Sequence, residues 1–518
     1  MLLNEFLEKS AELYPHKIAL VCRNQRLTYV EINTAANSFS NALIAEGFQR
    51  QDRAIVYLDN SVESVISVFG ILKAGGVFVI VDPQVKAKKL EYLLGDCKAR
   101  VLITDAEHLR NIPEAISHSP NLKQIIVTNA EKAATINEPI AGPKILSNRT
   151  ILEQYSAARP APCCIDIDLA GLLYTSGSSG NPKGVMLTHH NMVSAATSIT
   201  QYLENTNDDI VLDTLPLAFD YGLYQVLMAF KFGGTVILEK AFVYPQQVID
   251  IVVKEKVTGW PIVPTIAAIL VKLKNLDKCD FSSLRYITST GQALPPKHSA
   301  LLREAFPGVK IFSMYGLTEC KRVAYLPPEE LEKRPGSVGK AMPNTEAYIV
   351  DENGKEITEA GKPGELVVRG SNVMKGYWNL PEETAKALRP GPYPGEKVLF
   401  TGDLFNQDEE GYLYFLGRKD DIIKTAGHMV SPKEVENVLC EREDVIEAAV
   451  IGVEDEILGK SIKAFVHLTD ISEANEKDII NFCSERLENY AVPKTVVLCG
   501  TLPKTTNGKI IKRELQPR

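Results

Sequence analysis

Short apolar runs closed by turn signals recur through the first part of the chain: Arg53-Ala-Ile-Val-Tyr-Leu58, Gly76-Val-Phe-Val-Ile-Val81, Arg100-Val-Leu-Ile-Thr104 and Lys123-Gln-Ile-Ile-Val127. Such runs read as buried strands, and stretches of helical periodicity such as 61–74 lie between them as amphipathic helices. Strand and helix in alternation predict a largely parallel α/β layer with helices on its faces. Residues 131–162, rich in Ala, Pro, Ser and Asn, read as an excursion. From 339 to 417 the pattern changes to short strands separated by turns (Asp351-Glu-Asn-Gly354, Gly361-Lys-Pro-Gly364, Asp408-Glu-Glu-Gly411), which predicts a distorted β-barrel-like subdomain. After Gly417-Arg418-Lys419-Asp420 a new pattern starts, with strand-like Ala448–Ile451 and Ile462–His467 among helical segments. A small C-terminal α/β domain of about a hundred residues is expected there. The division is therefore 1–418 and 419–518.

Composition narrows the function more than the fold. At 518 residues, 45% hydrophobic and 24% charged, the chain reads as an ordinary globular protein of more than one domain. A net charge of −8 speaks against a nucleic-acid partner. No window reaches about eighteen continuous apolar residues, and Met1-Leu-Leu-Asn-Glu-Phe6 carries acid where a signal peptide carries base, so no membrane partner and a cytoplasmic location are expected. The nine cysteines are scattered apart from Cys163-Cys164 and suggest neither a disulfide framework nor a zinc site.

The chemistry begins at Tyr174-Thr-Ser-Gly-Ser-Ser-Gly-Asn-Pro-Lys-Gly184. Gly177 and Gly180 allow close backbone approach to phosphate, Thr175, Ser176, Ser178 and Ser179 add hydroxyl donors, and Lys183 supplies a point charge. The P-loop pattern fails here, because Pro182 stands in place of its second glycine and Gly184 follows the lysine. Composition alone would also suit a flexible Gly/Ser linker. A linker, however, has no reason to be flanked by Gly-Leu-Leu-Tyr174 and Val-Met-Leu187.

Three further motifs follow in order: Tyr315-Gly-Leu-Thr-Glu319, Thr401-Gly-Asp403, and Gly417-Arg-Lys-Asp-Asp-Ile-Ile-Lys-Thr-Ala-Gly427. Each is weak alone. Together with the Ser/Gly/Lys loop the chain resembles, over nearly its whole length, the adenylate-forming superfamily of acyl-CoA synthetases, amino-acid adenylation domains and luciferases. The resemblance implies ATP-dependent activation of a carboxylic acid to an acyl-AMP, with a thiol as the second acceptor. It implies that the loop and Lys183 hold the phosphates, that Tyr315 stacks on adenine, that Thr318 contacts the α-phosphate, and that Glu319 holds Mg²⁺. Asp403 and Arg418 would take the ribose; without the resemblance, Asp403 reads as a turn residue. Lys509, in Leu502-Pro-Lys-Thr-Thr-Asn-Gly-Lys509, matches the catalytic lysine of the small domain, which would turn about Asp420 and present Gly427 to the thiol channel.

The acid itself is read from Ala218-Phe-Asp220-Tyr-Gly-Leu-Tyr224. By the resemblance, Asp220 pairs with the α-ammonium of an amino acid, and Tyr221, Tyr224, Pro261, Thr288, Thr290, Gly291, Met314, Arg322 and Val323 line the pocket. Two bulky tyrosines imply a small substrate. The stretch Tyr315–Glu330 is similar to that of stand-alone prolyl-AMP ligases, which points to L-proline loaded onto the phosphopantetheine of a separate carrier protein. The alternative is an acyl-CoA synthetase passing a fatty or aryl acid to coenzyme A. Lys321 and Arg322 depart from the small or apolar residues usual in modular domains; either could meet a second carboxylate, lie at the surface or join an internal ion pair.

Overall fold

The computed structural model describes residues 1–128, 142–175, 181–292, 294–425, 428–455, 458–504 and 510–515. Among these, the strands form three sheets. The second in chain order carries the runs read as strands above: Arg53–Tyr57, Val77–Ile80, Val101–Thr104 and Gln124–Val127 pair in parallel and are almost wholly buried. Leu169–Thr175 joins them, and Lys183–Thr188 returns antiparallel to it, so that Thr175 and Lys183 are cross-strand partners at the two ends of the segment expected to hold phosphate.

Helix Val62–Lys73 corrects one expectation. It starts where Ser61 caps it, its side chain accepting from the Ser64 amide, but every residue except Glu63 is buried, so it is not amphipathic. A helix apolar on all sides has to lie inside the protein. Its terminal Lys73 is met inside the core by Glu8, Nζ to Oε1 at 2.6 Å.

The largest sheet runs parallel through Ile18–Cys22, Thr235–Leu238, Ile210–Asp213, Gly259–Ile262, Tyr286–Ser289 and Lys310–Tyr315. Beyond Lys310–Tyr315 the pairing turns antiparallel, and the strands from 337 to 418 continue the same sheet. The expected barrel-like region thus takes the form of an antiparallel run of Ser337–Ala341, Leu413–Arg418, Lys397–Gln407, Gly364–Gly370 and Thr345–Val350. The third sheet contains Val445–Asp455 and Gly459–Leu468, and it closes over its own apolar cluster from Ile423 to Val496. The chain is a mixed α/β protein with a large N-terminal and a small C-terminal domain. No described helix is long and apolar enough to cross a membrane.

Candidate active site

The parallel strands of the large sheet end at Ser289 and Tyr315, and open α/β sheets bind ligands at such carboxyl ends. Beyond Tyr315 the chain reverses tightly. The Cys320 and Lys321 amides donate to the Leu317 carbonyl and the Val323 amide to the Tyr315 carbonyl. Gly316 is required, since a Cβ there would lie 1.9 Å from the Lys321 carbonyl oxygen. Lys321 itself adopts φ +65°, a left-handed conformation that costs a side-chain-bearing residue about 1–2 kcal/mol.

This reversal brings together the residues expected to face the nucleotide. Tyr315 Oη donates to Asp403 Oδ2 at 2.5 Å, and Arg418 pairs with Asp403 Oδ1 at 2.8 Å from the facing position of the neighbouring strand. The Tyr315 ring, expected to stack on adenine, packs against Phe405 and Phe415. Burial and the Asp403 charge push its phenol well above the usual range. Gly402, just before Asp403 within the strand Lys397–Gln407, adopts φ +70°. Glu319 accepts from Tyr377 Oη at 2.8 Å, and Lys183 Nζ lies over the Tyr377 ring at 5.6 Å while pairing with Glu383 at 2.5 Å. One tyrosine therefore joins the loop lysine to the Tyr-Gly-Leu-Thr-Glu motif. Thr318 is half-buried beside Glu319, and Asp420 lies in an exposed turn. Ser176, Gly177, Ser178, Ser179, Gly180, Gly427 and Lys509 fall outside the described residues. His428 stacks on Tyr490 with ring centroids 4.0 Å apart.

The residues expected to line the acid pocket converge as well. Tyr221 Oη is 2.6 Å from Thr288 Oγ1, Pro261 and Thr288 are register partners, and Met314 Sδ accepts from Tyr202 Oη. Gly291, with φ +90°, borders Phe219, while Thr290 and Val323 are buried. Asp220 opens the helix Asp220–Phe232. Its nearest cation among the described residues is Lys321 Nζ at 3.6 Å, an ion-pair distance rather than a hydrogen bond. Lys321 is 6% exposed, and burial pulls its ammonium below its usual range while Asp220 pulls it back. Arg322 is 5% exposed, with its guanidinium over the Tyr221 ring at 5.1 Å. Lys321 Nζ, Arg322 Nε, Tyr224 Oη and Ser289 Oγ are all buried without a hydrogen-bond partner. Each such group costs about 1–3 kcal/mol unless a ligand satisfies it.

Residues 7–378 match the AMP-binding enzyme family, and residues 434–509 match the AMP-binding enzyme C-terminal domain. The chain belongs to the AMP-binding enzyme family. A long-chain-fatty-acid–CoA ligase of Bacillus subtilis (strain 168) is 34% identical, with 99% of this chain and 94% of that protein aligned. Tyrocidine synthase 1 of Brevibacillus parabrevis is 28% identical over 99% of this chain, which spans only 44% of that protein. The anthranilate CoA ligase AuaEII, solved with anthranoyl-AMP, superposes with TM-score 0.88 at 29% identity, covering 99% of this chain and 96% of that one. The protein is accordingly an ATP-dependent acid–thiol ligase of the adenylate-forming superfamily.

For this AMP-binding enzyme, sequence reasoning missed Tyr202, Tyr377 and Glu383. Tyr202 ends the helix His189–Tyr202 and stacks on Tyr325 at 4.0 Å; Glu383 starts from a short helix, Pro381–Ala387, far along the chain from Lys183. No local motif marks any of the three. Among the described residues no group of three or more His, Cys, Asp or Glu could hold a metal by itself. Glu319 has a carboxylate oxygen beyond the one facing Tyr377, a hard donor that suits Mg²⁺ shared with nucleotide phosphates.

Proposed function

We propose that the enzyme activates a small amino acid, L-proline being the first to test, and passes the acyl group to the phosphopantetheine thiol of a separate carrier protein. The observation that supports this is Asp220: a shielded carboxylate beside Tyr221 and Tyr224, paired with Lys321 only over a long contact of 3.6 Å. An α-ammonium would supply closer donors. In-line attack on the α-phosphorus needs positioning and charge neutralisation more than acid–base work. Lys183 and Thr175 would hold phosphates, Thr318 the α-phosphate, Asp403 and Arg418 the ribose, and Glu319 the Mg²⁺ that neutralises phosphate charge. Lys509 would neutralise charge accumulating between carboxylate and phosphate, and rotation about Asp420 would exchange it for Gly427 at the thiol channel.

The second reading is an acyl-CoA ligase acting on a fatty or aryl acid. It is favoured by the CoA-ligase relatives and by Lys321, which neutralises Asp220 from within the chain. Pyrophosphate exchange across a panel of amino, aryl and fatty acids separates the two. The first reading expects exchange with amino acids that falls by roughly two orders of magnitude or more in Asp220→Ala. Preference for an acid without an amine, unaffected by that substitution, replaces it with the second. Lys509→Ala should slow exchange at least roughly a hundredfold with any acid, and near-normal exchange would remove the adenylation role given to that lysine.

A further inference from the structure

The polar groups of the acid pocket do not balance. Asp220 and Lys321 cancel one another in charge, and Arg322 remains as a second cation, 5% exposed and with no carboxylate in ion-pair contact among the described residues. What meets its guanidinium is the face of Tyr221 and the phenol of Tyr202. Both are neutral, so they compensate a buried cation weakly, and Nε is left with no acceptor. Around it Lys321 Nζ and Tyr224 Oη, the former 5.2 Å from the Tyr224 ring, are also buried donors without acceptors. Arg322 follows directly on Lys321, whose left-handed backbone fixes the direction in which the two side chains leave the loop. Strain spent on burying two cations in a ligand pocket, rather than turning them to solvent, marks a recognition device.

We infer that Arg322 is a specificity-determining residue that receives a second carboxylate of the substrate, so that the enzyme takes a short acid bearing two carboxylates, one reacting with ATP and one held at Arg322. Arg suits this role because its planar fork matches a carboxylate in two parallel hydrogen bonds. Tyr221 and Tyr224 limit the length of the acid. The inference rests on the reading of this pocket as the acid site and narrows it: within the amino-acid class an acidic side chain is selected over L-proline, and without an amine Lys321 keeps Asp220 neutralised.

The test compares succinate, L-aspartate and L-glutamate with propionate, L-alanine and L-proline, using the full-length enzyme and Arg322→Gln and Arg322→Lys variants. In pyrophosphate exchange the wild type is expected to favour at least one two-carboxylate acid. Arg322→Gln should lower kcat/KM for that acid by about a hundredfold or more, mostly through KM, and at least about tenfold more than for any one-carboxylate acid, and Arg322→Lys should recover part of the loss. Without ATP, the preferred acid should raise the thermal midpoint of the wild type and not of Arg322→Gln. Preference for a one-carboxylate acid, or equal losses for both kinds in Arg322→Gln, overturns the inference. Should none of these six acids support exchange by folded wild type, the amino-acid reading of the pocket fails for this panel, and the thermal shift still decides the second carboxylate: no shift with any two-carboxylate acid overturns it.

Discussion

Asp209 directly precedes the strand Ile210–Asp213 and Asp220 opens the helix that follows it; both are carboxylates paired with basic residues, yet their surroundings are opposite. Asp209 accepts from Arg285 through both oxygens, from the Thr206 amide, and from Asn205 and Thr258, all between 2.7 and 3.0 Å. Burial opposes its charge, but the bonds from Arg285, Asn205, Thr206 and Thr258 hold its pKa below the usual carboxylate range. Asp220 has Lys321 at 3.6 Å, too far for a hydrogen bond of normal length. Asp209 is saturated by its own chain and serves the fold; the Asp220–Lys321–Arg322 group is left unsaturated, at a cost in stability that a ligand can offset. Unspent hydrogen-bonding capacity, more than charge or burial alone, distinguishes a binding site from a structural ion pair.

The largest expected effect tests that distinction on stability. Asp209→Ala removes the charged acceptor shared by the partly exposed Arg285 guanidinium, the Thr206 amide, Asn205 and Thr258, and since a hydrogen bond to a charged group contributes about 1.5–3 kcal/mol, the combined loss should reach about 3 kcal/mol or more. Replacing both partners of the loose pair, Lys321→Met together with Asp220→Asn, removes a buried, unsatisfied ammonium without leaving the carboxylate uncompensated, so the unfolding midpoint in urea should stay level or rise. Equal losses in the two variants would mean that the pocket charges are structural after all.

Much of this was legible in the chain. Strand Arg53–Tyr57 and helix Val62–Lys73 fall within a residue or so of the runs that predicted them, because the length of an apolar run and the Ser61 cap are local signals, whereas the burial of the helix on every side is not. The family resemblance gave Asp403 and Arg418 one shared role, and the strand register makes the two residues cross-strand partners. An internal ion pair was among the readings of Lys321 and Arg322, but that Lys321 would meet Asp220 was not readable. It depends on the reversal at Gly316 and a left-handed Lys321, both tertiary features, whereas Lys and Arg in sequence read by default as surface residues. Tyr377 escaped for the same reason: its link between Lys183 and Glu319 arises from a strand, Gly376–Tyr377, that pairs with Lys183–Thr188 from far along the chain.

His189 offers a third kind of buried group, satisfied only when neutral. Its Nδ1 accepts from the Leu3 amide at 3.0 Å, and burial lowers its pKa from 6.5 to about 4. The sign follows directly: as pH falls below 6.5 the unfolded chain takes up a proton that the folded one refuses until near pH 4. The stability present above pH 6.5 is therefore lost progressively toward pH 4, by about 3 kcal/mol in all. His189→Gln, which keeps an acceptor but cannot titrate, should flatten that part of the profile in urea unfolding measured between pH 7 and pH 4. An unchanged slope would assign the acid sensitivity to other groups.

The smallest effect concerns a pair between the two extremes. Lys183 and Glu383 touch at 2.5 Å, with side chains 16% and 32% exposed, and hydrogen bonds from Lys183 and Lys386 hold the Glu383 carboxyl at about 2. A half-exposed pair of this kind is worth at most about 1 kcal/mol. If Lys183 serves ATP phosphates, that contact has to be surrendered when nucleotide binds, and Glu383 acts as its competitor. Glu383→Gln should then lower KM for ATP by about two- to fivefold with kcat unchanged, and the gain should shrink as salt screens the original attraction. A rise in KM would carry the opposite meaning: Glu383 would be holding Lys183 in its binding position, and the pair would belong with Asp209 and Arg285 among contacts the chain makes for itself.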